Sequence, residues 1–254
     1  MTPFAASFFR RGEGRRPLVL GHRGVRGPAP ENTMAAFEEA HRQGADAIEL
    51  DVLVCRSGEA VVIHDPTLER VTGGADTRAV ADLSYADLRK VDVGSGERVP
   101  LLSEALAFAR ERRLGVNVEI KREAPDRLAV VTAAARLLRS WDPSHPRVVS
   151  SFDPFMLAAF GPLAPRVPRA LLVHRTWWRR FALALPLPLG VEAVHIERVI
   201  ASPALVQHLK GLGLMVSVWT VNEAREARDL AALGVDSLIS DVPGEMLAAV
   251  GARG

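Results

Sequence analysis

The sequence predicts a single α/β domain folded as a closed (β/α)8 barrel, a TIM barrel, with a small insertion after the second strand. The chain has 254 residues, 48% of them hydrophobic, which is enough to bury one large core. About eight short apolar strands alternate with helical segments, as a barrel requires. No Gly- or Ser-rich linker divides the chain, so we expect residues 1–254 to form one domain.

The first half of the chain supplies two barrel strands and the insertion. Leu18 to Leu20 is a short apolar strand, and helical spacing of apolar residues follows Asn32 or Thr33, either of which suits an N-cap. The second strand begins in ADAIELD, Ala45 to Asp51, and returns after a Ser-Gly turn as Ala60 to Ile63. Residues 66–100, rich in Gly, Thr and Asp, are predicted to leave the barrel and to contain a short helix, Tyr85 to Val91.

From Leu101 onward helices and strands alternate regularly. The remaining strands are predicted at Gly115 to Lys121, Arg147 to Phe152, Ala170 to Val173, Glu192 to Ile196, Leu214 to Thr220 and Ser237 to Ser240. The weakest unit is the fifth, where residues 174–190 make a poor helix.

The bulk composition excludes several classes of protein. The 32 basic residues are set against 30 acidic ones, so no general nucleic-acid surface is implied. The single cysteine, Cys55, excludes an internal disulfide and a cysteine zinc cluster, which fits the cytoplasm. The N-terminus does not resemble a secretory signal, and the most apolar stretch, Phe181 to Val191, is too short to span a bilayer. We therefore expect a cytoplasmic protein without stable membrane insertion.

Two acids dominate the second strand. Glu49 and Asp51 are two residues apart, so in a strand they share a face, while Ile48 and Leu50 point to the opposite layer. Burying one unpaired carboxylate is already costly, so such a pair needs a cation, basic side chains or a shared proton. A divalent metal is the working hypothesis.

The third barrel strand repeats this spacing with Glu119 and Lys121, and Asn117 lies on the same face. At the carboxyl ends of barrel strands these groups would join Glu49 and Asp51. Three carboxylates without cysteine favour Mg²⁺ or Ca²⁺ over zinc. The simpler alternative is that Glu119 and Lys121 only form an ion pair.

Two histidines directly follow strands at the same mouth. His22 and His64 could serve as general acid and general base because imidazole titrates near neutrality. Arg23 offers a forked donor and Lys121 a point charge for a phosphate. This combination is typical of phosphoester hydrolysis. Ordinary surface or supporting roles are expected for the remaining histidines considered, His41, His145, His174 and His208.

The motifs, in order along the chain, resemble those of the glycerophosphodiester phosphodiesterase family. They are GHRG at Gly21, PENT at Pro30, IELDV at Ile48, VVIHD at Val61, VEIK at Val118, SSF at Ser150, VWTVN at Val218 and ISDVP at Ile239. The resemblance implies a TIM barrel that hydrolyses glycerophosphodiesters to sn-glycerol 3-phosphate and an alcohol.

The resemblance also assigns expected roles. The metal, Mg²⁺ or Ca²⁺, would be held by Glu49, Asp51 and Glu119, and His22 and His64 would share the acid and base roles. Arg23 and Lys121 would bind the phosphate, with Glu31 orienting the arginine. Trp219 would be a wall for the glycerol or the leaving alcohol, and plain core packing is the alternative.

Several alternatives stay open from the sequence. The nucleophile is water or the substrate's own 2-hydroxyl, and the head group, native metal and oligomeric state are not specified. A lipid-directed phosphodiesterase, acting on lysophospholipids or phosphatidylinositol, is a second hypothesis, with Trp177, Trp178 and Phe181 beside two arginines as a possible lipid contact. A phosphate-binding barrel without catalysis is the non-enzyme hypothesis.

Overall fold

The computed structural model describes residues 8–175 and 186–251, and it has the predicted closed barrel of eight parallel strands with helices between them. The strands are β1 (Leu18–Gly21), β2 (Ala47–Val54), β3 (Ala60–Val62), β4 (Gly115–Ile120), β5 (Arg147–Ser151), β6 (Arg169–Val173), β7 (Ala193–Glu197), β8 (Met215–Trp219) and β9 (Ser237–Ser240). β1 pairs in parallel with both β2 and β9, which closes the barrel. β3 is not a barrel strand, because it pairs antiparallel with the end of β2.

The helices alternate with these strands. They are α1 (Met34–Arg42), α2 (Tyr85–Leu88), α3 (Leu102–Glu111), α4 (Arg127–Ser140), α5 (Pro154–Leu163), α6 (Pro186–Leu189), α7 (Pro203–Gly211), α8 (Ala224–Ala232) and α9 (Pro243–Val250). Short 3₁₀ turns occupy Val80–Asp82 and Arg198–Ile200. None of the helices in the described ranges is long and apolar enough to cross a membrane. Trp177, Trp178 and Phe181, with Arg179 and Arg180, lie outside the described residues.

The start of α1 decides between the two predicted N-caps. Thr33 is the cap, and its hydroxyl accepts a hydrogen bond from Ala36 N. Asn32 instead adopts a left-handed backbone, with φ of 58°, and directs its side chain to Asp51. The residue that looked like a helix cap is therefore part of the barrel mouth.

Most predicted strands are confirmed, with boundaries that differ by a residue at the mouth. The strand expected to run to Lys121 ends at Ile120, although Lys121 N still donates to Val52 O at 3.2 Å. Residues 66–100 contain the Val80–Asp82 turn and α2, and their side chains Leu68 and Leu88 are fully buried.

Alternation along β2 sorts its side chains between two cores. Ile48 and Leu50 pack in the outer layer between strands and helices. A second cluster fills the lower barrel interior and consists of Phe9, Leu18, Leu20, Ala47, Val148, Ala170, Ala193, Met215 and Ile239. Ala47 belongs to this inner cluster, so Glu49 and Asp51 share its face and point into the barrel, as predicted.

Phe8 and Phe9 close the barrel at the start of β4. Their rings meet edge to face with centroids 5.1 Å apart. Gly115 is required beneath them, because an added Cβ would lie 2.6 Å from Phe8 Cε1 and 3.2 Å from Phe9 Cζ. The aromatic plug leaves the opposite end of the barrel as the mouth.

Asp236 ties three segments together at this closed end. Its fully buried carboxylate accepts hydrogen bonds from Arg11 N and Val216 N, both at 2.8 Å. Lys210 Nζ approaches both carboxylate oxygens, at 2.8 and 2.9 Å. One side chain thus joins the N-terminal segment, β8 and α7.

We predict that Asp236→Ala lowers the free energy of unfolding by about 3–5 kcal/mol, because it leaves a partly buried ammonium and two amides without their acceptor. Urea unfolding followed by circular dichroism measures the change. Asp229→Ala, which alters an exposed carboxylate of α8, is the control and should shift stability by less than about 0.5 kcal/mol. Equal effects of the two substitutions on the free energy of unfolding would contradict this stabilising role of Asp236.

Candidate active site

Three buried carboxylates meet at the barrel mouth. Glu49 and Asp51 come from β2 and Glu119 from β4, and the register places Asp51 beside Glu119. One oxygen from each lies within 4.8 Å of the other two. Burial and the charge of Asp51 raise the pKa of Glu49 to about 8 and the pKa of Glu119 to about 7. The structure therefore brings together the three residues predicted as metal ligands.

Lys121 and Arg23 supply positive charge to this cluster. Lys121 Nζ lies 2.9 Å from Glu119 Oε1 and 3.2 Å from Asp51 Oδ1. Arg23 Nε lies 3.1 Å from Asp51 Oδ2, although this nitrogen has no well-aligned hydrogen-bond acceptor among the described residues. Burial alone would raise the pKa of Asp51, but Lys121 and Arg23 lower it to about 2. The ion pair between Glu119 and Lys121 is present, and it is one contact of a larger cluster.

Arg23 is held through both its backbone and its side chain. Its backbone, with φ of 51°, turns the Arg23 N–H toward Glu49 Oε2 at 3.0 Å. Its guanidinium donates to Glu31 Oε1 at 2.9 Å, which is the contact expected of an orienting glutamate. Asn32 holds Asp51 from the other side, since its amide donates to Asp51 Oδ2 at 2.8 Å and accepts from Asp51 N at 3.2 Å.

His22 is paired with an aspartate from the far end of the chain. His22 Nδ1 lies 2.7 Å from Asp241 Oδ1, and Asp241 Oδ2 accepts from Asn222 Nδ2 at 2.8 Å. Burial would lower the pKa of His22, but Asp241 and Glu49 raise it above its ordinary value. Neither Asp241 nor Asn222 is predicted from the sequence as a site residue, although they lie in the ISDVP and VWTVN motifs.

His64 has an equivalent partner next to it in the sequence. Its Nδ1 contacts Asp65 Oδ1. The pKa of His64 is lowered by burial and by the nearby charges of Lys121 and Arg23, against an opposing effect of Asp51. Since both histidines use Nδ1 for an aspartate, Nε2 is the ring nitrogen that each could present to a bound molecule.

A cavity of about 280 Å³ joins these groups. Its charged wall includes both histidines, Arg23, Lys121, Glu49 and Glu119. Its less polar wall is formed by Phe152, Leu172, His174, Trp219 and Ile239.

Trp219 lines this cavity from the end of β8. Its indole N–H donates to His195 O at 3.1 Å, and its ring meets Phe152 edge to face with centroids 5.5 Å apart. The ring is therefore fixed at the wall, and its contact with a substrate stays a prediction. His174, for which an ordinary surface or supporting role is expected, lies against Phe152 with ring centroids 5.2 Å apart and lines the cavity.

The donor atoms of this mouth fit a hard divalent cation. All three clustered side chains offer carboxylate oxygens, which Mg²⁺ and Ca²⁺ prefer. Asn117 adds an amide oxygen: it lines the cavity beside Glu49 in the strand register and is almost fully buried. Its Oδ1 has no hydrogen-bond partner among the described residues. Burial and the charge of Asp51 keep the pKa values of Glu49 and Glu119 raised even though Arg23 and Lys121 are close.

Comparisons with known proteins agree with this site. Residues 22–245 match the model of the glycerophosphoryl diester phosphodiesterase family. A glycerophosphodiester phosphodiesterase from Caldanaerobacter subterraneus subsp. tengcongensis is 31% identical over 235 residues, covering 90% of this chain and 95% of the relative. Human glycerophosphodiester phosphodiesterase 1 is 27% identical over 246 residues, covering 82% of this chain and 72% of the relative.

Solved structures show the same likeness. A phosphodiesterase from Oleispira antarctica, in complex with its product sn-glycerol 3-phosphate, superimposes with a TM-score of 0.85 at 28% identity. The superposition covers 98% of this chain and 99% of the Oleispira protein chain. The family match spans nearly the whole barrel and includes every residue of the carboxylate and histidine cluster. The chain belongs to the glycerophosphoryl diester phosphodiesterase family.

Proposed function

We propose that this protein hydrolyses glycerophosphodiesters to sn-glycerol 3-phosphate and an alcohol, with a divalent metal and with His22 and His64 transferring protons. The observation that carries the proposal is one cavity lined by Glu49, Glu119 and two histidines, each histidine held by its own aspartate. The buried Asp51 completes the carboxylate cluster behind this wall. The product complex of the Oleispira relative supports the substrate class.

Charge at the mouth supports a divalent cation. Glu49, Asp51 and Glu119 are opposed by Arg23 and Lys121, so these five side chains carry one net negative charge when all are ionised. In that fully ionised state the site would repel a phosphodiester monoanion. One divalent cation would convert the net negative charge into one net positive charge, which attracts the substrate.

Glu49, Asp51 and Glu119 would hold the ion, with the Asn117 amide oxygen beside them. Bound there, Mg²⁺ or Ca²⁺ supplies positive charge to the phosphate oxygens and to an attacking hydroxyl. The carboxylates themselves would then be fixed ligands and would take no part in proton transfer.

Arg23 and Lys121 would bind the phosphate. The Lys121 ammonium has three N–H groups, of which two face Asp51 and Glu119, so a third remains for a phosphate oxygen. Arg23 adds a planar donor set beside His22. These contacts stabilise the negative charge that develops on the phosphate oxygens in the transition state.

The histidines would divide the two proton transfers. One Nε2 accepts the proton of the attacking hydroxyl, and the other donates a proton to the oxygen of the departing alcohol as the P–O bond breaks. The attacking hydroxyl belongs to water or to the 2-hydroxyl of the glycerol moiety. Phosphorus NMR separates these routes, because only the second gives a transient cyclic glycerol phosphate.

Trp219 and Phe152 would contact the glycerol moiety or the leaving alcohol. Their rings meet at right angles on the less polar side of the cavity, opposite the charged wall. Such a wall suits carbon-bound hydrogens and leaves the phosphate to face the cations.

The lipid-directed alternative has one observation in its favour. Phe155, at the start of α5, is 82% exposed and borders an open groove shared with Phe152, Arg122 and Arg127. Hydrolysis rates of wild type and Phe155→Ser on glycerophosphocholine and on lysophosphatidylcholine distinguish an enzyme for glycerophosphodiesters from a lipid-directed enzyme. We expect the acyl-free substrate to be preferred and to be unaffected by the substitution.

A metal-binding experiment tests the carboxylate cluster. We predict that EDTA abolishes glycerol 3-phosphate release and that Mg²⁺ or Ca²⁺ restores it. Glu49→Gln should lose activity and also the heat of metal binding in calorimetry, because it removes one of three charged ligands. His64→Ala should lose roughly 10²- to 10⁴-fold in activity and still bind the metal. Activity that survives EDTA, or metal binding that survives Glu49→Gln, would contradict this assignment.

A change of leaving group separates the two histidines. Glycerophosphocholine releases an alkoxide that needs a proton, whereas the p-nitrophenyl ester of glycerol 3-phosphate releases a stable anion. The variant without the general acid, either His22→Ala or His64→Ala, should lose roughly 10²- to 10⁴-fold on the first substrate and less than about tenfold on the second. The variant without the general base should lose activity on both.

His208→Ala, which alters an exposed histidine, is the control and should match wild type on both substrates. If both active-site variants respond alike to the leaving group, the proposed division of proton transfer is wrong.

A further inference from the structure

We propose that Arg70 is a positioning residue that joins the two halves of the active site. It reaches the partner of His64 with one nitrogen and the partner of Arg23 with another. Arg70 Nε contacts Asp65 Oδ2, and Arg70 Nη2 donates to Glu31 Oε1 at 2.8 Å. This inference rests on the proposed function, in which His64 transfers a proton and Arg23 binds the phosphate.

The contacts form a continuous chain across the mouth. His64 Nδ1 contacts Asp65 Oδ1, so Asp65 lies between His64 and Arg70. Glu31 Oε1 accepts from Arg23 at 2.9 Å as well as from Arg70, so Glu31 lies between the two arginines. Arg70 therefore contacts both carboxylates, and it does not itself line the cavity.

The backbone around Arg70 is fixed by contacts that do not involve its side chain. Leu68 is fully buried in the outer core, and Leu68 N donates to Arg78 O at 3.0 Å. Thr72 Oγ1 donates to Leu68 O at 2.9 Å. A residue between two such anchors keeps its place when its side chain is shortened. Loss of the guanidinium should therefore release Asp65 and Glu31 without releasing the loop.

An arginine suits this position and a lysine does not. The planar guanidinium presents separate N–H groups along two edges, so it can hold two carboxylates in a fixed relative orientation. Lysine offers a single point charge at the end of a flexible stem. Without Arg70, Asp65 would retain only His64 of these two partners, and Glu31 only Arg23. Both carboxylates could then rotate, together with the groups that they orient.

Two kinetic effects should follow from one substitution. Misorientation of His64 lowers kcat, because proton transfer depends on the direction of Nε2. Misorientation of Arg23 raises KM, because the phosphate loses an aligned donor. A side chain that served only to hold the fold would reduce the amount of folded protein and would leave both constants of the folded fraction unchanged.

The test compares Arg70→Ala, Arg70→Lys and Arg78→Ala in glycerophosphocholine hydrolysis with Mg²⁺. Arg78 is the matched control because it lies in the same segment, is exposed and forms its ion pair with Asp76. We expect Arg70→Ala to lose roughly 10- to 100-fold in kcat/KM, shared between kcat and KM, since small misplacements of reacting groups cost factors of this size. Arg70→Lys should lose nearly as much, and Arg78→Ala should match wild type.

Chemical rescue distinguishes positioning from folding. Guanidinium chloride at a non-denaturing concentration should restore several-fold activity to Arg70→Ala and none to Arg78→Ala, because a free guanidinium ion can again bridge Asp65 and Glu31. In an Asp65→Asn, Glu31→Gln background, Arg70→Ala should have little further effect, because both of its contacts are already weakened.

Three results would overturn the proposal. They are unchanged kcat and KM in Arg70→Ala, an unrescued loss that parallels a lowered unfolding temperature, and an undiminished effect in the double-substitution background. These results are distinct from failure of the proposed function. In that case the wild-type protein itself would release no glycerol 3-phosphate from any glycerophosphodiester.

Discussion

The active site depends on the mutual repulsion of Glu49, Asp51 and Glu119 inside the barrel. Three carboxylates with oxygens within 4.8 Å of one another cannot all remain ionised in a buried mouth unless positive charge is close. Arg23 and Lys121 keep Asp51 ionised, with its pKa lowered to about 2, but the pKa values of Glu49 and Glu119 stay raised. The divalent cation proposed above would supply the positive charge that ionisation of all three carboxylates requires.

The position of the acids could be predicted because it depends on local geometry. Alternation along β2 requires that Glu49 and Asp51 share one face and that Ile48 and Leu50 share the other. The parallel register then places Glu119 beside Asp51. Element boundaries were less certain, since the last residue of a strand at the mouth is set by loop contacts. Asn32 shows the reason: its sequence position suits a helix cap, but its hydrogen bonds to Asp51 draw it into the site.

The hydrogen-bond partners of His22 and Glu31 could not be derived from sequence spacing. Asp241 contacts His22 from 219 positions away, and no periodicity of either segment predicts that pair. Arg70 meets Glu31 across 39 positions, from a segment whose composition indicates only a loop. Phe152 and His174 are similar, because their roles as cavity walls follow from the closure of the barrel. Motif resemblance pointed to the residues that we propose act on the substrate, and the fold was needed to show which side chains hold them.

The side chains that point into the barrel change from apolar at the closed end, through neutral polar groups, to charged groups at the mouth. The apolar cluster around Phe9 lies at the bottom. Two residues further along several strands, the same inward face carries neutral polar groups, including Ser150, His195 and Ser217. Burial lowers the pKa of His195 to about 3, so this histidine stays neutral and adds no charge beneath the carboxylates. The charge of the site is therefore set at the mouth, by the carboxylate cluster and by Arg23 and Lys121.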